Sequence, residues 1–295
     1  MTDNTVILYG RTADNKNAQL YNNLLQNLIS RGCRVVAPQP LLEQIHDLDI
    51  TFSDVVEQLD KAPSETEALA VLSVGGDGTF LEAARLMIGS DIPVLGINNG
   101  RLGFLSDVSE QNITTAIDNL LSGNYRLGHL DVISLYANNE RTPIDYAINE
   151  FAVSKCDNAS MLTIQAYIDG EYLTTYWADG LIIATATGST AYSLSVGGPI
   201  VYPSTPNLII TPVAPHNLNV RPLIVPSGSV IQLHIEGRGP NILTSLDGRN
   251  HVMDNNCMLR IAKAPFSVRT VQLHGHSFFA TLRDKLMWGA DMRNH

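Results

Sequence analysis

Residues 73–80 read SVGGDGTF, with three glycines grouped around one aspartate, Asp77, and a hydroxyl residue, Thr79, behind it. Glycines bunched in this way let backbone N–H groups come close to an anion such as phosphate. A carboxylate among phosphates is repelled, so Asp77 needs its own explanation. One is structural: a tight strand-to-helix turn in which Asp77 or Thr79 caps the helix. The other is chemical. In phosphoryl transfer a carboxylate can accept the proton of the attacking hydroxyl, or help hold the metal that neutralises the phosphates. Spacing alone leaves both open. Two common phosphate loops are excluded: no Gly-Lys-Ser/Thr occurs in the chain, and Leu81 stands where the dinucleotide fingerprint needs its third glycine.

The elements that must position this loop are legible around it. ALAVLSV (68–74) is a continuous apolar run, as in a strand buried on both faces of a parallel sheet, and TFLEAARLMIG (79–89) has helical spacing and ends on glycine. Strand, glycine loop and helix in this order aim free N–H groups and the positive end of a helix at the loop. Similar alternation covers the first 125 residues: strands at 5–10, 34–38 and 92–98, a helix at 17–32, and a helix at 109–123 opened by Ser109 as cap and closed by Gly123. From about residue 126 β-forming stretches dominate, punctuated by Asn138-Asn139, Asp169-Gly170, Ser227-Gly228 and Asp247-Gly248, and residues 162–177 read as a hairpin turning at Asp169-Gly170. The expected fold is an α/β N-terminal domain with a parallel, Rossmann-like sheet (1–125), joined by a C-terminal helix (277–295), and a β-rich C-terminal domain (126–276).

Bulk composition narrows the function. The 295-residue chain carries a net charge of −10 and no run of lysines and arginines, which argues against nucleic-acid binding by counterion release. No apolar run approaches the ~20 residues of a membrane-spanning helix, and the start MTDNTVILYG lacks a secretory pattern. Cys33, Cys156 and Cys257 are far apart and form no CxxC pair, so neither a disulfide framework nor a zinc site is expected. These features point to the cytoplasm, and any nucleotide bound would be bound as a small molecule, through glycines, helix ends and a metal.

Two further constellations could carry chemistry, or serve only as a strand end and a capped helix beside a strand. INE (148–150) closes a β-like run, where an Asn-Glu pair is ordinarily a solvated strand end; the chemical alternative is that Glu150 accepts from the two hydroxyls of a ribose while Asn149 both donates and accepts. ADGLIIATATGSTAYSLSVGGPIVYP (178–203) runs a strand into a second glycine-eased polar turn and a short helix from about Ala191. Together GGDGT, PVLGINNGRLGFLSD (93–107), the Asn149-Glu150 pair and residues 178–203 resemble the NAD kinase family. The likeness extends through 210–226, SLDGRN (245–250) and FFATLRDKLMWG, covering about residues 69–289; the first ~65 residues share only the α/β pattern.

The resemblance implies transfer of the γ-phosphoryl group of ATP to the 2′-hydroxyl of the adenosine ribose of NAD, forming NADP. It implies Asp77 as general base, and a phosphate loop of Gly75, Gly76, Gly78 and Thr79, with Asp77 and Gly78 also against NAD. Asn149 and Glu150 would bind the adenosine half and Asp179 the nicotinamide side. Thr190, Ala191, Tyr192, Ser193, Leu194 and Ser195 would line the nucleotide pocket. A divalent cation, Mg²⁺ first, would bridge the phosphates, with no protein ligand assigned to it. A two-domain subunit with the site between its domains is also implied, and a homo-oligomer, commonly a tetramer, in which neighbouring subunits complete the pocket. Three residues depart from the family pattern: Ala186 replaces the proline before the glycine turn, Arg249 replaces glutamine after Asp247-Gly248, and Trp177 stands where arginine or glycine is common. Rival readings are a lipid kinase, which would lack TGSTAYS, and a nucleotide-binding regulator without turnover.

Overall fold

The computed structural model describes residues 4–48, 50–100, 103–138, 140, 144–156, 161–237, 239–275 and 277–289. Arg101 and Leu102 of the second glycine motif, Asn139 of the Asn138-Asn139 pair and residues 290–295 of the expected terminal helix lie outside them. The chain divides into two compact units, Met1–His129 with Val268–His295, and Leu130–Ser267.

The first unit alternates strand and helix: β1 (Thr5–Gly10), α1 (Ala18–Ile29), β2 (Arg34–Ala37), α2 (Gln39–His46), β3 (Glu57–Gln58), β4 (Ala70–Val74), α3 (Asp77–Leu86), β5 (Val94–Ile97) and α4 (Ile113–Ser122). Its strands pair in parallel in the order β5-β4-β1-β2-β3. Every residue of β4 is buried, which explains why its sequence shows no polar alternation. Leu20, Leu24, Leu25 and Leu28 of α1 share one core with Val6, Leu8, Leu72 and Leu95 of the sheet. Two elements escaped the sequence reading. α2 is only eight residues long with a proline in its first turn, too short for periodicity to declare itself, and β3 is two residues long. Ser109 is not the cap of α4: residues Glu110–Asn112 form a 3₁₀ turn first, and the Ser109 hydroxyl turns to Gln111 Oε1 at 3.5 Å.

Two long strands carry the chain between units, β6 (Tyr125–Ala137) and, later, one that returns it. The second unit contains β7 (Asp145–Ala147), β8 (Glu150–Lys155), β9 (Leu162–Ile168), β10 (Glu171–Ala178), β11 (Gly180–Thr185), α5 (Tyr192–Ser195), β12 (Asn207–Val213), β13 (Leu223–Pro226), β14 (Ile231–Glu236), β15 (Asn241–Leu246) and β16 (Arg249–Asp254). β17 (Cys257–Leu273) then re-enters the first unit, where its Thr270 pairs in parallel with Val94, and α6 (Phe278–Leu286) follows. The unit borders thus fall inside continuous strands: the first, 129/130, lies close to the change of composition near 126, and the second, 267/268, lies within β17 and short of the expected 276, with no change of composition to mark it.

One sheet of the second unit is antiparallel, in the order β13-β12-β11-β8-β15-β16. The other joins β10-β9-β14 to the first half of β17. Their inner faces share one core, with Phe151, Val153, Leu181 and Ile183 from the first sheet and Ile164, Leu233, Leu259 and Ile261 from the second. Both Asp-Gly hairpins turn through left-handed pairs, Asp169 (φ 53°) with Gly170 (φ 86°) and Asp247 (φ 46°) with Gly248 (φ 80°). Such turns match the twist of the flanking strands. No helix among the described residues is long and apolar enough to cross a membrane.

Candidate active site

In the first unit, β4 ends at Val74 and α3 begins at Asp77, with Gly75 and Gly76 making the corner. Gly75 has φ +153°, and a Cβ there would collide with the Thr79 side chain, so the corner requires glycine. No side chain caps α3. The helix-cap explanation of Asp77 is therefore excluded.

The Asp77 carboxylate turns instead to the loop after β5. Oδ2 accepts the Phe104 N–H (3.0 Å), and Oδ1 accepts the Leu105 (2.9 Å) and Ser106 (3.1 Å) N–H groups. Lys285 of α6 adds its ammonium to Oδ2 at 2.9 Å. Burial pushes the carboxyl up, but Lys285 and the three N–H donors outweigh it and hold the group below the usual aspartate range. Gly103 passes so close that a Cβ there would strike Asp77 Oδ1. The loop is stitched to itself as well: Gly103 N–H donates to Ser106 O (3.0 Å), Asn98 Nδ2 to Ser106 O (3.2 Å) and Gly100 N–H to Asn98 Oδ1 (2.6 Å). The second glycine motif is thus the seat of the first motif's acid. Near the loop's other flank, Arg11 forks onto Glu82 (2.6 and 2.8 Å) and reaches Gly78 O at 3.4 Å.

In the second unit, Asp247 repeats this device. Its Oδ2 accepts the Ile148 N–H (2.7 Å), and its Oδ1 accepts those of Asn149 (2.8 Å) and Glu150 (3.1 Å). The Asp247-Gly248 hairpin turn therefore fixes the backbone that presents Asn149 and Glu150. Thr185 braces it from β11, donating its hydroxyl to Ile148 O (2.7 Å) and its N–H to Asn149 O (2.8 Å). Gly188 lies against Asn149 so tightly that a Cβ would strike the Asn149 carbonyl.

This bracing leaves unusual side chains. Asn149 and Glu150 are both buried, and Asn149 Oδ1 and Glu150 Oε2 have no hydrogen-bond partner among the described residues. Buried polar atoms are ordinarily paired, so adjacent orphans mark a place for a polar ligand. Burial and then the Asp247 charge push the Glu150 carboxyl up to about 8, against the backbone N–H of Tyr192, which favours its ionised form. Burial likewise raises Asp247, against its three N–H donors and Arg249.

Residues 186–201 pack on the other face of the β8-β11-β12 sheet, where Ala186 and Val201 join Ala152, Ile182, Ala184 and Ile209. Ala186, at the family's proline position, is thus a core residue. Thr187–Thr190 form a 3₁₀ turn, followed by α5, so the expected helix at Ala191 starts one residue later. Tyr192 and Ser195 are exposed, while Thr190, Ala191 and Leu194 are partly buried. Ser193 is fully buried, its hydroxyl 3.0 Å from Thr211 Oγ1, which ties α5 to β12.

Asp179 does not join the Asn149 and Glu150 pair. It precedes β11, whose far end, Thr185, touches Asn149. Five strand steps separate the two ends, roughly 17 Å. Its Oδ1 pairs with Lys155 Nζ at 2.8 Å. Trp177 is nearly half exposed, at 46%. Arg249 is committed internally, to Asp145 Oδ2 (3.2 Å) and Tyr146 O (2.5 Å). Asp247 and Lys285 are the functional candidates the sequence reading missed. Asp247 was visible only as a turn residue, and nothing local links Lys285 to a loop 208 positions away.

Residues 6–125 match the model of the ATP-NAD kinase N-terminal domain, and residues 148–273 that of the ATP-NAD kinase C-terminal domain. The chain is 41% identical over 288 residues to the NAD kinase of Cytophaga hutchinsonii, covering 97% of this chain and 99% of that one. It is 40% identical to the NAD kinase of Christiangramia forsetii, again over 97% and 99%. Among solved structures, the yeast NADH kinase complexed with NADH superposes with a TM-score of 0.86 at 24% identity, covering 99% of this chain and 89% of that one. An NAD kinase from Archaeoglobus fulgidus in complex with ATP gives 0.71 at 24% identity, over 97% of each chain. At these identities the two structures speak to the fold.

Proposed function

The chain belongs to the NAD kinase family, and we propose from its geometry how it moves the γ-phosphoryl group of ATP to the 2′-hydroxyl of the adenosine ribose of NAD, forming NADP. The observation that carries the reading is the pair of buried, unpartnered atoms Asn149 Oδ1 and Glu150 Oε2, held by three N–H bonds from the same segment to Asp247. A ribose supplies hydroxyl donors to both. TGSTAYS, which a lipid kinase would lack, is present at residues 187–193 and disfavours that reading.

In this mechanism Asp77 accepts the 2′-hydroxyl proton as that oxygen bonds to the γ-phosphorus and the bond from the γ-phosphorus to the β,γ-bridging oxygen breaks, releasing ADP. A carboxylate held below the usual aspartate range is a weak base. Its contribution is position and orientation, which dominate phosphoryl transfer. The backbone of 75–78 and Thr79 cradles phosphate at the start of α3. Thr190, Ala191, Tyr192, Leu194 and Ser195 line the nucleotide pocket, with Tyr192 the exposed ring. Ser193 acts by holding α5 in place through Thr211. Asp179, at the other end of β11, takes the nicotinamide side.

A divalent cation, Mg²⁺ first, would supply charge neutralisation of the phosphates. No set of three His, Cys, Asp or Glu side chains able to hold a metal occurs among the described residues. Bound with ATP, such an ion would take its ligands mainly from the substrate phosphates and water. The protein works in the cytoplasm as a homo-oligomer, most simply a tetramer.

The experiment is an assay for NADP with purified protein, NAD, ATP and Mg²⁺. NADP formation is expected. Its absence with every phosphoryl donor and metal tried, while NADP still binds, would identify a regulator instead.

A further inference from the structure

Asp77 has no free acceptor site. A carboxylate offers about four lone-pair positions, and four donors occupy them: the N–H groups of Phe104, Leu105 and Ser106, and the Lys285 ammonium. A base that must take a hydroxyl proton has to lose one of these. The three N–H donors belong to a loop held by its own hydrogen bonds and by the glycine contact at 103. The fourth donor ends a flexible stem, with 35% of its side chain exposed, and can leave without breaking any backbone contact.

We propose that Lys285 is a positioning residue for phosphoryl transfer: it holds Asp77 through Oδ2 until substrate phosphate arrives, then moves to the phosphate and vacates Oδ2 for the ribose hydroxyl. The proposal rests on Asp77 as the base. The step is an exchange of partners with no covalent change. The ammonium leaves one anion for another, and the freed oxygen then accepts the hydroxyl proton.

Three features support it. The Lys285 ammonium lies 4.7 Å from the centre of the Phe104 ring, a second favourable surface that it keeps while changing anion. Phe104 in turn meets Phe278 at 6.1 Å, so α6 stays tied to the loop when the ion pair opens. Among the described residues, Arg11, which also reaches the glycine loop, is already forked onto Glu82. Among the described residues, the charged groups on the elements packed around Asp77 are Lys285 with Arg283 and Asp284 on α6, Glu82 and Arg85 on α3, Arg11 after β1, and Asp107 in the loop. Of these, Lys285 bonds the carboxylate directly.

The test compares Lys285→Met, Lys285→Arg and Asp77→Asn in the full chain. Lys285→Met is expected to raise the KM for ATP about tenfold, the scale of one modest charge-assisted contact, with the NAD KM changed less than twofold. It is also expected to move the acid limb of the pH–rate profile upward, because an ammonium that favours the Asp77 carboxylate is gone. Lys285→Arg should restore the ATP KM. A lower melting temperature with the ATP KM and the acid limb unmoved would make Lys285 a strut for α6 and overturn the proposal. Asp77→Asn separates the two ideas: if it is inactive while Lys285→Met is unchanged, only the Lys285 proposal fails, and if it turns over normally, the base reading fails first. Wild-type protein gives a check independent of folding variants. After reductive ¹³C-methylation, the Lys285 resonance should shift with inorganic tripolyphosphate at concentrations that inhibit turnover, and a stationary signal overturns the exchange.

Discussion

Asp77 and Asp247 each gather three consecutive backbone N–H groups, one in each unit, and each acid sits beside glycine in an Asp-Gly pair. Charge-assisted bonds of this kind hold a loop more firmly than neutral ones. Asp247→Ala should strand three donors and lower stability by about 3 kcal/mol. It should also raise the NAD KM several-fold, because Asn149 and Glu150 lose their mounting; denaturant melts and steady-state kinetics on the same variant check both. Asn149→Ala tests the ligand directly: the NAD KM should rise, with melting nearly unchanged. Asp77→Asn should cost on the order of 10²–10⁴ in kcat if Asp77 is the base. Circular dichroism must show the variant folded, since near-normal turnover in a folded variant removes Asp77 from the proton transfer.

At the scale of elements, the β8-β11 pair and the turn after it build the nucleotide side. Glu150 opens β8 opposite Ala184, with its side chain buried beside Asp247. Its carboxyl is raised to about 8 from 4.5, so the folded protein keeps a proton that the unfolded chain gives up. The sign follows: stability falls as pH rises from about 4.5 to about 8. Glu150→Gln should flatten melting temperature across that window and be the more stable form at pH 8. Ribose hydroxyls that donate to Glu150 favour its ionised form. NAD binding near pH 7 should therefore release protons, read as calorimetric heats that vary with the buffer's ionisation enthalpy, and buffer-independent heats would remove Glu150 from the ribose. Gly188→Ala would drive a methyl into the Asn149 carbonyl and should weaken NAD binding more than ATP binding.

For the whole molecule, each unit has its own core and its own acid-clamped loop, and the chain passes between them only along β6 and β17. The proposed tetramer of this 32.1 kDa chain is tested by sedimentation velocity of the purified protein, where a monomer mass would remove it.

Much of this was legible in the sequence because it is local. Continuous apolar runs marked the buried parallel strands, Asp-Gly pairs marked the hairpins, and GGDGT, the Asn149-Glu150 pair and residues 178–203 carried the family resemblance. Short elements such as α2 were not legible, since eight residues bury only Leu41, Leu42 and Ile45 and make no periodic signal. What Asp77 does was not legible either. A cap and a loop clamp use the same residue in the same turn, and they differ only in where the carboxylate points. That direction is set by Gly103, Phe104, Leu105, Ser106 and Lys285, which lie 26 to 208 positions away in sequence. Residue types determined that an acid and glycines would stand at the start of α3; tertiary packing alone decided which donors surround that acid, and therefore which of them must give way for chemistry.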